Sequence, residues 1–446
     1  DYFYRFLTLH GIAMLIAWII FMEMAILYFA SAVLLNSRLA APWVGWLQYG
    51  LMLVGAAIVA IEILLGNADV MFTSYVPLKA HHGYYLGIIL FAVGAILGCV
   101  VFFATLVVAK TEKTYKGSLP LVTFGAAAAA IIAIVTLAHG AIVMIPTWLW
   151  ALGVIPMMDA EVYRLVFWAF GHSSQQINVA AMISVWYLLV TLTVGGSPLN
   201  QKVCRTAFVF YILFIDIASE HHLLVDPGLS VSHKIWNTGY FMHLAVLASM
   251  IHAFSVPAAA EVGLRKQGYT KGYFEWLKKA PWGNPGWSAL VFSVVGFGVL
   301  GGITGVVYGT EQLNIIAHNT LRIPGHFHAT VVCGTTMAFM GLTYYVLPLI
   351  FRRELAFAGV AKLQPYVYGI GMSVFSTAMM FAGGFGVSRR HWDYTTADAV
   401  FQTNFGSVVD MSMAVTGISG VVAFVGGVMF VLVAVGTLLI GKKIEA

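Results

Sequence analysis

Six histidines in an otherwise apolar chain carry the residue types and spacings of metal ligands: His10, His172, the adjacent pair His221 and His222, and His326 and His328 one residue apart. An imidazole inside a bilayer costs free energy unless it is paired or bound, so several of them within membrane spans point to a metal centre. Any one of them alone reads as a structural histidine donating to a backbone carbonyl; the set of six does not. Adjacent His221 and His222 cannot point the same way from a regular helix, yet both reach one metal at a helix end where the backbone loosens. His326 and His328 leave a helix about 200° apart, so that pair serves two different centres. The remaining eight, His81, His82, His139, His233, His243, His252, His318 and His391, are read as hydrogen-bonding or supporting groups.

The elements that position these residues are membrane helices. Of 446 residues, 60% are hydrophobic and 9% charged, with a mean hydropathy of +0.89, which excludes an ordinary soluble domain. Eleven apolar runs are expected to cross a bilayer: 11–34, 51–65, 84–109, 121–145, 178–194, 207–217, 240–255, 288–308, 329–350, 366–385 and 415–440. Each run falls short of its true helix, because a helix buried in a bundle tolerates polar groups that a hydropathy count excludes. The expected fold is all-α, a polytopic bundle of about eleven or twelve transmembrane helices in one membrane domain, residues 1–446. Because Asp1 lies only a few residues before a span, a further helix ahead of it is expected. Cys99, Cys204 and Cys333 share no short spacing and read as small core residues.

Lys and Arg fill every second loop, after runs one, three, five, seven, nine and eleven. The positive-inside rule then makes those loops cytoplasmic and the amino terminus external. All six histidines fall in the outer half on this reading. The net charge of +5 is spent on orientation, so lipid is the expected surrounding and no nucleic acid is expected. Arg389 and Arg390 are the exception: they stand in an outer loop, where orientation does not explain them. Glu62 reads as an unpaired acid in the middle of span two, held by a hydrogen bond in its neutral form or belonging to a proton route.

At this point the residues resemble a known family, the catalytic subunit I of heme-copper oxidoreductases, most closely the B-type terminal oxidases. The segments that carry the resemblance are Leu7-Thr8-Leu9-His10-Gly11, Tyr75-Val76-Pro77-Leu78-Lys79, Phe167 through His172, His221-His222-Leu223-Leu224-Val225-Asp226-Pro227-Gly228, His318 through His328, and Ser388-Arg389-Arg390. The resemblance implies two hemes and one copper ion. It implies that His10 and His328 ligate a low-spin heme, that His326 holds a high-spin heme, and that His172, His221 and His222 hold copper. Arg389 and Arg390 would bind heme propionates, with His318 nearby and Asn314 standing where the B-type pattern has a carboxylate. Heme types stay open. The implied setting is a respiratory chain in a prokaryotic cytoplasmic membrane, with the metal sites towards the periplasmic side.

The chain departs from the family where the chemistry is decided. B-type oxidases carry a tyrosine four residues after the first copper histidine, and here that position is Gln176. Single-step dioxygen cleavage draws an electron and a proton from that tyrosine, and glutamine supplies neither. Tyr187 lies about three turns on, too far to replace it; Tyr211, ten residues before His221, stays open as a substitute. Nitric oxide reduction needs only two electrons and two protons for each nitrous oxide formed, so two metals suffice. Glu220, directly before the copper pair, reads either as a proton-delivering or metal-tuning carboxylate or as a helix-end acid in the outer water. Ala248 and Ile251 stand where B-type enzymes place hydroxyls, which points to protons supplied from outside. The leading expectation is a nitric oxide reductase of denitrification, with a proton-pumping dioxygen reductase, a cytochrome c oxidase, as the alternative. A transporter or channel with structural histidines is the reading from another class. The chain has no Cys-x-x-Cys-His motif, so a subunit II carrying a cytochrome c or a dinuclear copper domain is expected as the electron entry.

Overall fold

The computed structural model describes residues 2–215, 217–397, 400 and 402–444. Among them there is no strand, only two isolated bridges, Thr320 with Ser388 and Arg353 with Lys443. The eleven expected spans appear as α1 (Tyr2–Val33), α2 (Pro42–Leu64), α3 (His82–Thr111), α4 (Leu121–Ala151), α5 (Ala160–Val194), α6 (Gln201–Ile215), α7 (Val231–Lys266), α8 (Pro285–Tyr308), α9 (Arg322–Phe351), α10 (Ala358–Gly384) and α11 (Ser407–Ile440). Ten of these are long and apolar enough to cross a membrane; α6, with 15 residues, is the short one. The apolar runs understate the helices as expected. Run 178–194 is the tail of the 35-residue α5, whose earlier turns hold His172, Ser173 and Gln176.

Local chemistry sets the helix ends. Pro42 and Pro285 open α2 and α8 at first-turn positions, where a missing N–H costs nothing, and the Asn284 side chain accepts from the Gly286 and Trp287 amides. The loop before α3 closes with His81, whose Nδ1 lies 3.3 Å from the Gly83 amide nitrogen. Glu62 corrects the sequence reading: it lies two residues from the end of α2, not in mid-span. There its two oxygens meet His81 Nδ1 at 3.0 Å and Asn67 Nδ2 at 2.8 Å.

Five helical stretches are wound as π-helix: Ala13–Trp18 and Phe29–Val33 in α1, Ile235–Met242 in α7, Gly296–Gly301 in α8 and His328–Thr336 in α9. Wider turns of this kind concentrate at functional sites, and two of them lie at or within three residues of candidate ligands, after His10 and from His328 onward.

The chain divides into two compact units. The first comprises 1–184, 208–223 and 228–245, and within it α2 and α3 approach closely: a Cβ on Gly55 would lie 2.5 Å from the Gly87 carbonyl oxygen. Small residues at such crossings are how membrane helices gain packing without a hydrophobic driving force. The second comprises 185–207, 224–227 and 246–446, where Gly426 plays the same part against Tyr368 of α10. The three cysteines are buried, as expected.

Candidate metal centre

In the first unit the structure brings His172, His221 and His222 together, their candidate ligand atoms all within 4.8 Å of one another. His172 comes from α5. His221 and His222 do not close α6; that helix ends at Ile215, and the pair sits on a separate 3-10 turn, Ser219–Leu223. A tighter helix turns adjacent residues by about 120°, and here both rings still face His172, at centroid distances of 3.9 Å and 5.2 Å.

Neighbouring side chains hold the turn. Asn237 of α7 is buried and grips it at two points, accepting from the Glu220 amide at 3.2 Å and donating to the Ile217 carbonyl at 2.5 Å. The Ser173 and Ser219 hydroxyls bond at 3.0 Å, tying the turn to α5 beside His172. The Trp168 indole stacks on the His222 ring at 3.8 Å with planes 10° apart, a contact worth about 0.5–1.5 kcal/mol beyond its buried area. Trp168 Nε1 donates to the Tyr75 hydroxyl at 2.6 Å, and the Arg164 guanidinium covers the Tyr75 ring at 4.4 Å.

The imidazole nitrogens are directed. His221 Nδ1 donates to the Ala218 carbonyl at 2.9 Å, which fixes its tautomer and leaves Nε2 as the ligand lone pair. His172 Nδ1 faces His222 Nε2 at 3.1 Å, while its Nε2 lies 2.9 Å from the Gln176 amide. Gln176 therefore meets the His172 ring at the nitrogen other than the one that faces His222. When Nδ1 is the metal-binding atom, Nε2 carries the proton and Gln176 presents its carbonyl oxygen; with the opposite tautomer its NH2 donates. Either way it holds the ring in place. A set of three converging, partly buried imidazoles suits a single copper ion.

Glu220 departs from the reading as a helix-end acid in the outer water. Its Oε2 is paired with His233 Nε2, and its side chain is 20% exposed, so it is not a free acid in open water. His233, Asn237, Trp168 and Tyr75 were not singled out as site residues. Trp168 stands one turn before His172, the one local signal among them.

The second unit carries His326 and His328, and the expectation that they face different ways holds. His326 Nδ1 meets the Thr304 hydroxyl on α8 at 3.0 Å, and its ring lies edge-on to Tyr308 at 5.8 Å. Thr304 donates to the Leu300 or Gly301 carbonyl, so it accepts from His326 Nδ1 and leaves Nε2 for an axial bond. Space for the ring comes from Gly305, whose added Cβ would lie 3.0 Å from His326 Cε1. His328 instead donates from Nδ1 to the Pro324 carbonyl at 2.7 Å and packs against Phe327 and Phe375, the latter on α10. Both histidines are thus pinned on one nitrogen, which fits axial ligation of two separate hemes. His10, in the first unit, stands on α1 three residues before its π-turn.

Arg389 and Arg390 follow a short bridge that lays 387–389 against 319–321: Leu321 N bonds Val387 O at 2.8 Å and Arg389 N bonds Asn319 O at 2.9 Å. The Arg389 guanidinium donates to Asn319 Oδ1, beside His318 and ahead of the turn bearing His326. Asn314 is buried and donates to the Tyr308 carbonyl at 2.7 Å. Of the residues expected only to hydrogen-bond, His81, His139, His243 and His252 do so, with Glu62, Val135 O, Thr238 O and Tyr187.

The comparisons with known proteins concern the chain as a whole. The chain is 27% identical to cytochrome c oxidase subunit 1 of Thermus thermophilus, over 97% of this chain and 76% of that one. It is 23% identical to quinol oxidase subunit 1 of Bacillus spizizenii, over 94% of this chain and 64% of the relative, and 24% identical to cytochrome c oxidase subunit 1 of Bacillus sp. strain PS3, of which it spans 62%. For the two Bacillus proteins the chain therefore spans less than two thirds of the relative. A solved chain of a heme-copper terminal oxidase dimer superposes with a TM-score of 0.93 at 26% identity, covering 99% of this chain and 78% of that one. The family model described as Cytochrome C and Quinol oxidase polypeptide I matches residues 1–418. The chain belongs to that family, and is a multi-pass membrane oxidoreductase of the heme-copper oxidase subunit I superfamily.

Proposed function

We propose that the chain is the catalytic subunit of a nitric oxide reductase built on the B-type oxidase scaffold. One observation carries this reading: the group within hydrogen-bond distance of His172 Nε2, at the position where the resemblance calls for a tyrosine, is the amide of Gln176. Dioxygen reduction at that place calls for a phenol that gives up an electron and a proton; an amide gives neither, while coupling two nitric oxide molecules asks for two electrons, which one heme iron and one copper supply when bound.

The chain's own residues then have these tasks. His172, His221 and His222 hold the copper, and His326 the high-spin heme. His10 and His328 hold the low-spin heme that relays electrons. Gln176 is a positioning residue that keeps the His172 ring turned, and the Asn237 clamp with the Trp168 stack keeps His221 and His222 in place. Glu220 and His233 form a proton-holding pair next to the copper ligands, and Arg389, Arg390 and His318 serve the propionates. Residues 1–446 act as one catalytic domain. It sits in a prokaryotic cytoplasmic membrane with the metal sites outward, and a second subunit with a cytochrome c or dinuclear copper domain delivers the electrons. The test is anaerobic turnover of the purified, reduced enzyme with isotopically labelled nitric oxide. Labelled nitrous oxide at one molecule per two nitric oxides consumed supports the reading, and nitric oxide left unconsumed overturns it.

A second reading, a dioxygen-reducing oxidase, is favoured by the relatives, which are named as cytochrome c and quinol oxidases. It needs another oxidisable phenol. Tyr211, fully buried in α6, is the candidate, and unchanged dioxygen turnover in Tyr211→Phe removes that version.

A further inference from the structure

The membrane-spanning part of the first unit holds an acid that none of these tasks uses. Glu23 lies in α1, ten residues before its end at Val33 and thirteen beyond His10, roughly 20 Å along the helix from that histidine. Its side chain is 3% exposed, and among the described residues no hydrogen bond reaches its Oε1. Cys99 of α3 is within electrostatic reach of both Glu23 and Tyr28, and the Tyr28 hydroxyl, five residues on, donates to Gln48 Oε1 of α2 at 2.9 Å. Gly98 makes the approach possible: a Cβ there would meet Met24 Sδ at 2.3 Å and Gln48 Cγ at 3.5 Å. Cys99 is its titratable neighbour, and among the described residues no ion pair reaches the acid.

A carboxyl at this depth with no ion pair is carried as the neutral acid, and such residues are retained in membrane helices where they bind an ion or pass a proton. A structural role would be met by a satisfied hydrogen bond, as for Ser31 and Thr105, whose hydroxyls bond the carbonyls of their own helices. Glu23 instead keeps an oxygen open. We infer that Glu23 is an intramembrane proton-exchange site, holding one proton that it releases to a water molecule at Oε1 and regains during turnover. Only the O–H bond breaks and re-forms, and no electron moves. The inference rests on the membrane-spanning fold and holds for either gaseous substrate.

The test is reduced-minus-oxidised infrared difference spectroscopy of the whole enzyme in H2O and D2O, with turnover measured in parallel. The wild type is expected to show a protonated-carboxyl carbonyl feature that shifts in D2O and vanishes in Glu23→Gln. Turnover of that variant should fall on the order of 100-fold, the lower end of what a positioned proton-transfer group contributes, with heme spectra and copper content unchanged. Wild-type spectra without such a feature overturn the inference even when no variant can be purified. Full turnover in Glu23→Gln or Glu23→Leu overturns it as well.

Discussion

The two ligand regions are built on different principles. In the first unit, His172, His221 and His222 touch one another, and the cage is made by side chains from α5, the 3-10 turn and α7 that fix one another: Ser173 with Ser219, Asn237 with the Glu220 amide, Trp168 with His222. In the second unit, His326 and His328 lie on one helix. Each is fixed separately, one by the Thr304 hydroxyl and the other by a backbone carbonyl of its own helix. A small ion needs several ligands on one point, so the protein pre-assembles them. A heme brings four ring nitrogens of its own and asks the protein for one correctly oriented lone pair per face. The difference between the regions is therefore the difference between building a coordination sphere and aiming single atoms.

The comparison breaks first at the ligands. His222→Ala should strip the copper and lower activity by more than about 100-fold, beyond the roughly 10- to 100-fold that loss of an outer partner costs, while the heme absorbance stays. His328→Ala should do the opposite, removing the low-spin spectrum and sparing copper. Metal analysis beside the optical spectrum reads both, and a copper loss in His328→Ala would show that the regions are not built independently.

A smaller effect sharpens the contrast within the copper cage. Trp168→Leu removes the stack on His222 and should weaken copper binding by about 10-fold, with Trp168→Phe recovering part of it. Copper affinity equal in Leu and wild type would mean that the hydrogen-bond clamp alone holds the turn. In the second region Thr304→Val leaves His326 Nδ1 without its acceptor. It should alter the high-spin heme spectrum and lower heme retention about 10-fold, leaving copper untouched.

The smallest expected effect lies in the loop after Arg390. The Asp393 carboxylate accepts from the Thr395 hydroxyl and from the amides of Thr395 and Ala397, which holds its pKa below the usual carboxylate value. A lowered folded value means that this turn gains order above the unfolded carboxylate range and loses it as pH falls through the lowered value. Amide exchange at Thr395 and Ala397 should be slow at neutral pH and accelerate at acid pH relative to other loops. Asp393→Asn should flatten that dependence.

What the sequence made legible follows the same division. The ligand histidines were visible because their spacings and depths are local properties of helices, and their opposite facings at 326 and 328 follow from helical geometry. The supports were not, because they join residues far apart in the chain: Tyr75 with Trp168, Glu220 with His233, Asn237 with Ile217. A lone acid in an apolar run is the same signal at Glu23 and Glu62. Hydropathy does not show that α2 ends at Leu64 and hands Glu62 to His81, whereas α1 runs on and encloses Glu23. The apolar runs located every long helix.

The central claim is that an amide at position 176 leaves the centre able to reduce nitric oxide and unable to reduce dioxygen efficiently. The direct test is turnover of nitric oxide and of dioxygen on one purified preparation with the same electron donor. The account predicts brisk conversion of nitric oxide to nitrous oxide with slow dioxygen uptake. Rapid reduction of dioxygen to water, with nitric oxide hardly consumed, would contradict it.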